Sequence, residues 1–386
     1  MEKSPKQISH TTQAKKAASF FARCVNGSLK LISLCCVGGL WCSAASALIS
    51  PEHCRYLSLL ALAFPVFLVA TIGVMLLSLI INWRKSWITF VGLALCAPTI
   101  HTYCPINLPS TPSSSAIKVM TFNTHGFGQL EPKTKVNDEA DRNIVAKFIM
   151  DEAPDLVGYQ EGIAPSKFKK HVAPLLKEHG YYADSVSFAG NRLGCFSKFK
   201  IIDKEILCPR GGNGVAVFKV LRNPADTLHF IVAHLQTMKF SSKDKTTIVE
   251  SVQNLLPDET ETTEAIRPIW HVLRKMAQTS IPRAEQATAL ADYIERNAGQ
   301  NIIVCGDFNE TPVSYTYRTI LNAGNLEDAF VESGNGVGRS YNQHCMYVRI
   351  DHILYAADHW DAHGCRVHKE PHLSDHYAIT TYLDPK

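Results

Sequence analysis

The sequence predicts an α/β domain held behind a three-helix membrane anchor, on three observations. Apolar runs of near-spanning length occupy residues 29–104. Beyond them strands and helices alternate, with several strands following one another directly. Six of those strands carry Asn, Glu, His or Asp at the end of an otherwise apolar stretch.

Charge divides the chain at the same place. Residues 1–115 hold nine Lys/Arg against two Asp/Glu, a net +7, and residues 116–386 hold thirty against thirty-three, a net −3. The C-terminal domain therefore has no global charge with which to grip long DNA. Of the twelve cysteines, seven fall before residue 116, and no CxxC pair occurs, which argues against a zinc site.

Residues 1–28 form a basic lead with Lys3, Lys6, Lys15, Lys16 and Arg23. Three apolar spans follow, roughly Leu29–Ser50, Tyr56–Ile81 and Trp87–Tyr103, each near the ~20 residues that cross a bilayer as helix. The turn Asn82-Trp83-Arg84-Lys85-Ser86 is basic and the turn Pro51–Arg55 is not. Positive charge stays on the cytoplasmic side, so the N-terminus is expected there and the domain after residue 105 on the extracytoplasmic side. A competing reading takes the first span as a signal peptide cleaved near Ser43–Ala47, and it exports the same domain. Residues 105–116, rich in Pro and Ser, read as an extended tether.

The domain opens with a strand at Ile117–Asn123. A helix is expected over Asp138–Asp151, where Ile144, Val145, Phe148 and Ile149 share a face. Pro154–Glu161 reads as a strand ending in a carboxylate, and Phe168–His179 as helical. Strands recur at Leu193–Phe196, Lys200–Leu207, Val215–Leu221 and Leu228–Ala233, with a hairpin turn at Gly211–Gly214. Residues 239–282 read as an insertion, a loop or helical segment. A helix at Arg283–Asn297 leads into the apolar run Ile302–Cys305, which stops at Gly306 and presents Asp307 and Asn309 two residues apart. Strand-like runs around Asp351-His352 and Asp375-His376 close the domain.

The strand ends bring forward Asn123, Glu161, His234, Asp307, Asn309, Asp351, Asp375 and His376. Taken singly, each has a bland reading as a turn cap, a core histidine or half of an ion pair. The repetition argues for one cleft. The chemistry suited to that set is phosphoester hydrolysis. Glu161 with Asn123, joined by Asp375, offers the oxygen donors that Mg²⁺ or Mn²⁺ prefers. His376 backed by Asp351 is an oriented base for water. Asp307 and Asn309 align the nucleophile and contact phosphoryl oxygens. His234 either stabilises the pentavalent state or protonates the leaving oxygen. Arg283 and Tyr341 are candidate substrate contacts, and His352 and the cluster His359, His363, His368 and His372 read as structural or solvated.

Thr121-Phe122-Asn123, Tyr159-Gln160-Glu161-Gly162, Ala233-His234-Leu235, Gly306-Asp307-Phe308-Asn309, Arg349-Ile350-Asp351-His352 and Ser374-Asp375-His376 together resemble the ordered motifs of the endonuclease/exonuclease/phosphatase superfamily. The resemblance spans residues 117–384. It departs at Val232-Ala233, where many members carry a polar pair. It implies a DNase I-like four-layer α/β sandwich, Mg²⁺ or Mn²⁺ dependence and the roles given above. With the anchor, it is most similar to a membrane-anchored bacterial subgroup. The expected activity is phosphodiester hydrolysis of the endonuclease type; the alternative is a phospholipid or small-molecule phosphatase or phosphodiesterase, sphingomyelinase-like or inositol-phosphate-like, and a non-catalytic binding module comes last.

Overall fold

The computed structural model describes residues 5–128, 144–224, 226–238, 246, 262–343 and 348–386, with side chains from residue 18 onward and, in the helix that begins at Thr262, from residue 269. The chain divides into two compact units, Met1–Ser46 with Leu60–Thr99, and Ala47–Leu59 with Ile100–Lys386.

The first unit is helical. Two stretches, Ala18–Leu48 and Arg55–Leu95, are long and apolar enough to cross a membrane. The expected third span is instead two short helices, Ser86–Leu95 and Ala97–Tyr103, separated at Cys96. Neither reaches the ~20 residues of a crossing by itself. Pro98 lacks the N–H that would continue the ladder across the break. The helix Ser86–Leu95 lies against the first helix, where Trp41 Nε1 donates to the Gly92 carbonyl at 3.1 Å.

The second unit contains twelve strands among the described residues. In chain order they are β1 (Ile117–Asn123), β2 (Leu156–Gln160), β3 (Tyr182–Phe188), β4 (Asn191–Ser197), β5 (Lys200–Arg210) and β6 (Asn213–Asn223). They continue with β7 (Asp226–His234), β8 (Ile302–Asp307), β9 (Leu326–Asp328), β10 (Asp351–Ala356), β11 (Trp360–Val367) and β12 (Ile379–Pro385). They form two mixed sheets, ordered β11-β12-β1-β2-β4-β3 and β5-β6-β7-β8-β10-β9.

Three apolar clusters make this a four-layer sandwich. Val119, Leu156, Phe230, Val232, Ile303 and Cys305 pack between the sheets. Met120, Phe122, Val157 and Tyr159 pack outward against Val145 and Ile149 of the helix Ile144–Glu152. Val215, Ile231, Ile302 and Val304 pack outward against Leu290 and Ile294 of the long helix Thr262–Arg296. A strand buried on both faces has no polar side, which is why Ile302–Cys305 reads as an unbroken apolar run rather than an alternation. Val232 and Ala233 are both fully buried, so the departure from the motif is core packing.

The first part of the helix expected over Asp138–Asp151 and most of residues 239–261 lie outside the described residues. The helix expected from Arg283 begins at Thr262, so Arg283 lies in its interior rather than at its start. Residues 105–116, read from the sequence as a tether, are hydrogen-bonded to the domain. Asn107 Nδ2 donates to the carbonyls of Val331 and Gly334 at 2.8 and 2.7 Å. Ser113 N donates to Asp384 Oδ2 at 2.8 Å.

Candidate active site

Strand direction explains why residues 250 positions apart meet. β1 and β2 are parallel, as are β7 and β8, so each pair presents its C-terminal ends at one edge. β10 runs antiparallel to β8 and β12 antiparallel to β1, so they present their N-terminal ends at that same edge. The register sets Asp307 beside His234 on one side and beside Asp351 on the other. The loop before β12 is pinned when Ser374 Oγ donates to the Asn123 carbonyl at 2.7 Å and Asn342 N donates to the Asp375 carbonyl at 3.0 Å.

Gly306 makes the central approach possible. Its φ is +142°, and a Cβ there would lie 1.9 Å from the Ala233 carbonyl oxygen. Two site residues hold positive φ without being glycine, Glu161 at +54° and Asn309 at +53°. Such strain persists only where surrounding contacts over-determine it. Glu161 O accepts from Gly126 N at 2.7 Å. Asn309 is held by its own N–H to Asp307 Oδ1 at 2.8 Å and by Nδ2 to the Leu235 carbonyl at 3.0 Å.

The cleft centres on Asp307 Oδ2. Asn123 Nδ2 donates to it at 3.1 Å, and His234 Nε2 and His376 Nε2 lie 3.6 and 3.7 Å away. His376 Nδ1 is 2.8 Å from Asp351 Oδ2. Tyr341 bridges to His376 through the backbone and meets its ring edge-on, centroids 5.2 Å apart. Asn123 also donates to Glu161 Oε1 at 3.3 Å, so its amide faces the carboxylates with nitrogen rather than oxygen.

Charge in the cleft is strongly negative. Burial alone would push the His376 imidazole down, yet Asp351 and Asp307 outweigh it and hold the ring up at about 10. His125 is raised to about 10 by its contacts with Asp375 and Glu161, whose carboxylate oxygens lie 3.3 and 3.5 Å from its Nδ1. Burial pushes Asp307 up, offset in part by His376. Asp375 is held at about 2 despite burial, through His125 and His376. Burial and the carboxylates of Asp375, Asp307 and Glu161 push the Tyr341 hydroxyl up to about 12.

Arg283 is placed differently from its expectation. Its side chain is 1% exposed, its Nη1 donates to the Asn309 carbonyl at 2.7 Å, and its Nε lies 3.1 Å from Glu310 Oε1. It braces the Asn309 turn from behind. His352 sits under the same turn, Nε2 3.2 Å from the Glu310 carbonyl and Nδ1 3.5 Å from Asp328. Sequence reasoning assigned nothing to His125 or Asn191. His125 follows a motif asparagine by two residues, a signal that was present. Asn191 belongs to a Gly-Asn hairpin tip, and nothing local marks it.

Two groupings of described residues present donors for a cation. Glu161 and Asp375 converge on the position where the His125 ring now sits. The ligand atoms of Asp307, Asp351 and His376 lie within 4.8 Å of one another. In the second group His376 Nδ1 and Asp351 are already joined by a hydrogen bond, the arrangement of an oriented base.

A family model described as the Endonuclease/Exonuclease/phosphatase family matches residues 120–376. A second, described only as a domain of unknown function (DUF8431), matches residues 26–103. No curated protein matches by sequence. Among solved structures, the human Nocturnin catalytic domain with bound sulfate anion is 15% identical with a TM-score of 0.51, covering 72% of this chain and 97% of that one. The endonuclease/exonuclease/phosphatase from Bacteroides vulgatus is 18% identical with a TM-score of 0.50, covering 71% and 100%. At these identities the likeness is one of fold.

Proposed function

Because the chain belongs to the endonuclease/exonuclease/phosphatase family, we propose that it is a divalent-metal-dependent hydrolase of phosphodiester bonds, anchored in a membrane by its N-terminal helices. The observation that carries this reading is the buried His376–Asp351 pair, whose free Nε2 faces the Asp307 carboxylate 3.7 Å away. Asp351 fixes the ring so that Nε2 faces the cleft. With a divalent ion held by Glu161 and Asp375 to offset the negative charge that keeps the ring protonated in the metal-free protein, Nε2 is left able to take a proton from an attacking water. Asp307 aligns that water, and Asn123 holds Asp307. Asn309, its side chain tied back to Leu235, presents its turn to the phosphate. His234 faces the same centre from the opposite side. Tyr341 covers the His376 ring.

The donor set fits a hard divalent ion. Two carboxylates, Glu161 and Asp375, converge on one point and hold an imidazolium there, which marks a position that favours positive charge. Glu161 and Asp375 would hold the ion, with Asn123 beside them. Mg²⁺ or Mn²⁺, when bound, supplies charge that anchors the phosphate and offsets the charge developing on its oxygens.

Endonuclease-type cleavage and hydrolysis of a lipid or small phosphoester share this machinery. One observation favours the second. The cavity beside the cleft, about 580 Å³, is lined by His125, Glu161, Asn191, Asn213, His234 and Thr237 among glycines, with no Lys or Arg among the described residues that line it. Gripping a duplex rests on many Lys/Arg–phosphate contacts.

The anchor reading is supported by exposed apolar side chains on the second helix, among them Val66, Val69, Leu76 and Ile80. Connectivity supports the side. The segment Ala47–Leu59 belongs to the same compact unit as the catalytic domain, and the chain leaves that unit at Leu60 and rejoins it at Ile100. If Ser58–Asn82 crosses a bilayer, residues 83–103 must cross back, the two short helices together completing the return.

The test is hydrolysis by the full-length protein in detergent with Mg²⁺. Nicking of supercoiled plasmid and cleavage of bis(p-nitrophenyl) phosphate are compared for wild type, Glu161→Ala and His376→Ala. Metal-dependent cleavage of either substrate, abolished by both substitutions, is expected. Hydrolysis that survives both substitutions would refute the assigned centre.

A further inference from the structure

We infer that Asn191 is a positioning residue that fixes His234 as the Nε2–H tautomer, so that a neutral imidazole presents a hydrogen-bond donor to a phosphoryl oxygen. The inference rests on the phosphoesterase reading for its last step only.

The amide of Asn191 has one orientation. Its Oδ1 accepts the main-chain N–H of Arg192 at 2.8 Å, so Nδ2 is the atom turned toward the ring. Nδ2 lies 3.3 Å from His234 Nδ1. An amide nitrogen donates and cannot accept, so Nδ1 must carry the lone pair, and the hydrogen of the neutral ring sits on Nε2. The other tautomer would set N–H against N–H.

The far side of the ring shows what that hydrogen is for. His234 is 1% exposed, and its Nε2 is buried with no hydrogen-bond partner. Its neighbours are Asp307 Oδ2 at 3.6 Å and Glu161 Oε1 at 3.8 Å, both beyond hydrogen-bond distance. A buried N–H without an acceptor is destabilising, and this one is aimed where the two carboxylates converge. An oxygen of a bound phosphate supplies the missing acceptor. The backbone is shaped to deliver Asn191 to this spot: Ala189 and Gly190 both hold positive φ, +43° and +92°, turning β3 into β4 beside the cleft. Between the two roles open to His234, donor to the pentavalent phosphoryl group and acid toward the leaving oxygen, this arrangement selects the first. The group acts by electrostatic preorganisation and keeps its hydrogen.

The experiment uses full-length protein carrying ¹⁵N-labelled histidine. Long-range ¹H–¹⁵N spectra separate the two tautomers, and the His234 signals are those absent from His234→Gln. Wild type is expected to show protonated Nε2 and bare Nδ1, and Asn191→Leu a mixture of tautomers. A protonated Nδ1 in wild type would overturn the inference. With bis(p-nitrophenyl) phosphate and Mg²⁺, Asn191→Leu is expected to lower kcat on the order of 10- to 100-fold with KM little changed. In a His234→Gln background the same substitution is expected to add nothing, because Asn191 acts only through the ring. Full additivity of the two losses would also overturn it. Failure of wild type to hydrolyse the probe would count against the phosphoesterase reading, while the spectrum alone still decides the role of Asn191.

Discussion

At the scale of single residues, the cleft is governed by how much negative charge it concentrates. Removing the ring in His376→Ala is expected to lower kcat about 10²- to 10⁴-fold, the range typical of a lost general base. Steady-state kinetics checks it, and a melting curve shows whether the variant is folded. The same charges make a prediction about stability in protein stripped of divalent ions. His376 and His125 are both raised to about 10 in the folded state, against 6.5 for an ordinary histidine. Between those values the folded state holds protons that the unfolded state has released, so their contribution is complete below pH 6.5 and is lost as pH rises through 10. The melting temperature in EDTA is expected to fall across that window, and His125→Asn to flatten part of the fall. A flat wild-type profile would contradict the charge argument.

Elements matter through the strand ends and the helix behind them. Gly306→Ala would drive a Cβ into the Ala233 carbonyl and hold a non-glycine residue in a region costing about 1–3 kcal/mol. Because Asp307 follows directly, chemical denaturation and kcat should both register the change. The Arg283–Glu310 pair makes a separate case. Both side chains are buried, and the guanidinium also holds the Asn309 carbonyl. Arg283→Met leaves Glu310 buried and unpaired, which costs about 3–5 kcal/mol when a buried partner is removed. The expected outcome is a large loss of stability with kcat falling more than KM rises, and Arg283→Met combined with Glu310→Gln should regain part of the stability. Wild-type stability in the single variant would show that the pair does not brace the turn.

For the whole molecule, the question is how the catalytic domain is carried. Asn107 and Ser113 are hydrogen-bonded to Val331, Gly334 and Asp384, so this stretch is part of the folded second unit. Residues lining a cavity within this unit include Tyr56 from the segment after the first helix and Trp270 and Arg274 from the long helix. On the proposed reading, in which the first helix crosses a membrane, this segment and the domain are expected together on the side opposite the basic N-terminus. In intact cells, an impermeant reagent is expected to label a tag at the C-terminus and to leave one at the N-terminus untouched until the membrane is opened. Equal labelling of both tags would discard the three-crossing topology.

Much of this protein could be read from residue order alone. Ile302–Cys305 announces a strand buried on both faces because apolar side chains must leave water on either side of it, and the polar residue after each such strand stands out against that background. The α/β sandwich and the list of strand-end residues follow from that contrast, and the family follows from the resemblance of the ordered motifs. Tertiary structure decided what depends on partners far apart in the chain. Cys96 and Pro98 divide the third apolar run into two helices, a break that hydropathy averages away. Arg283, read from the sequence as a candidate phosphate contact, is drawn inward because Glu310 and the Asn309 carbonyl offset the cost of its burial. Asn191 carries no local signal. Its meaning lies in a histidine 43 residues away in the chain, and hydrogen-bond direction between two such groups is a property of the fold.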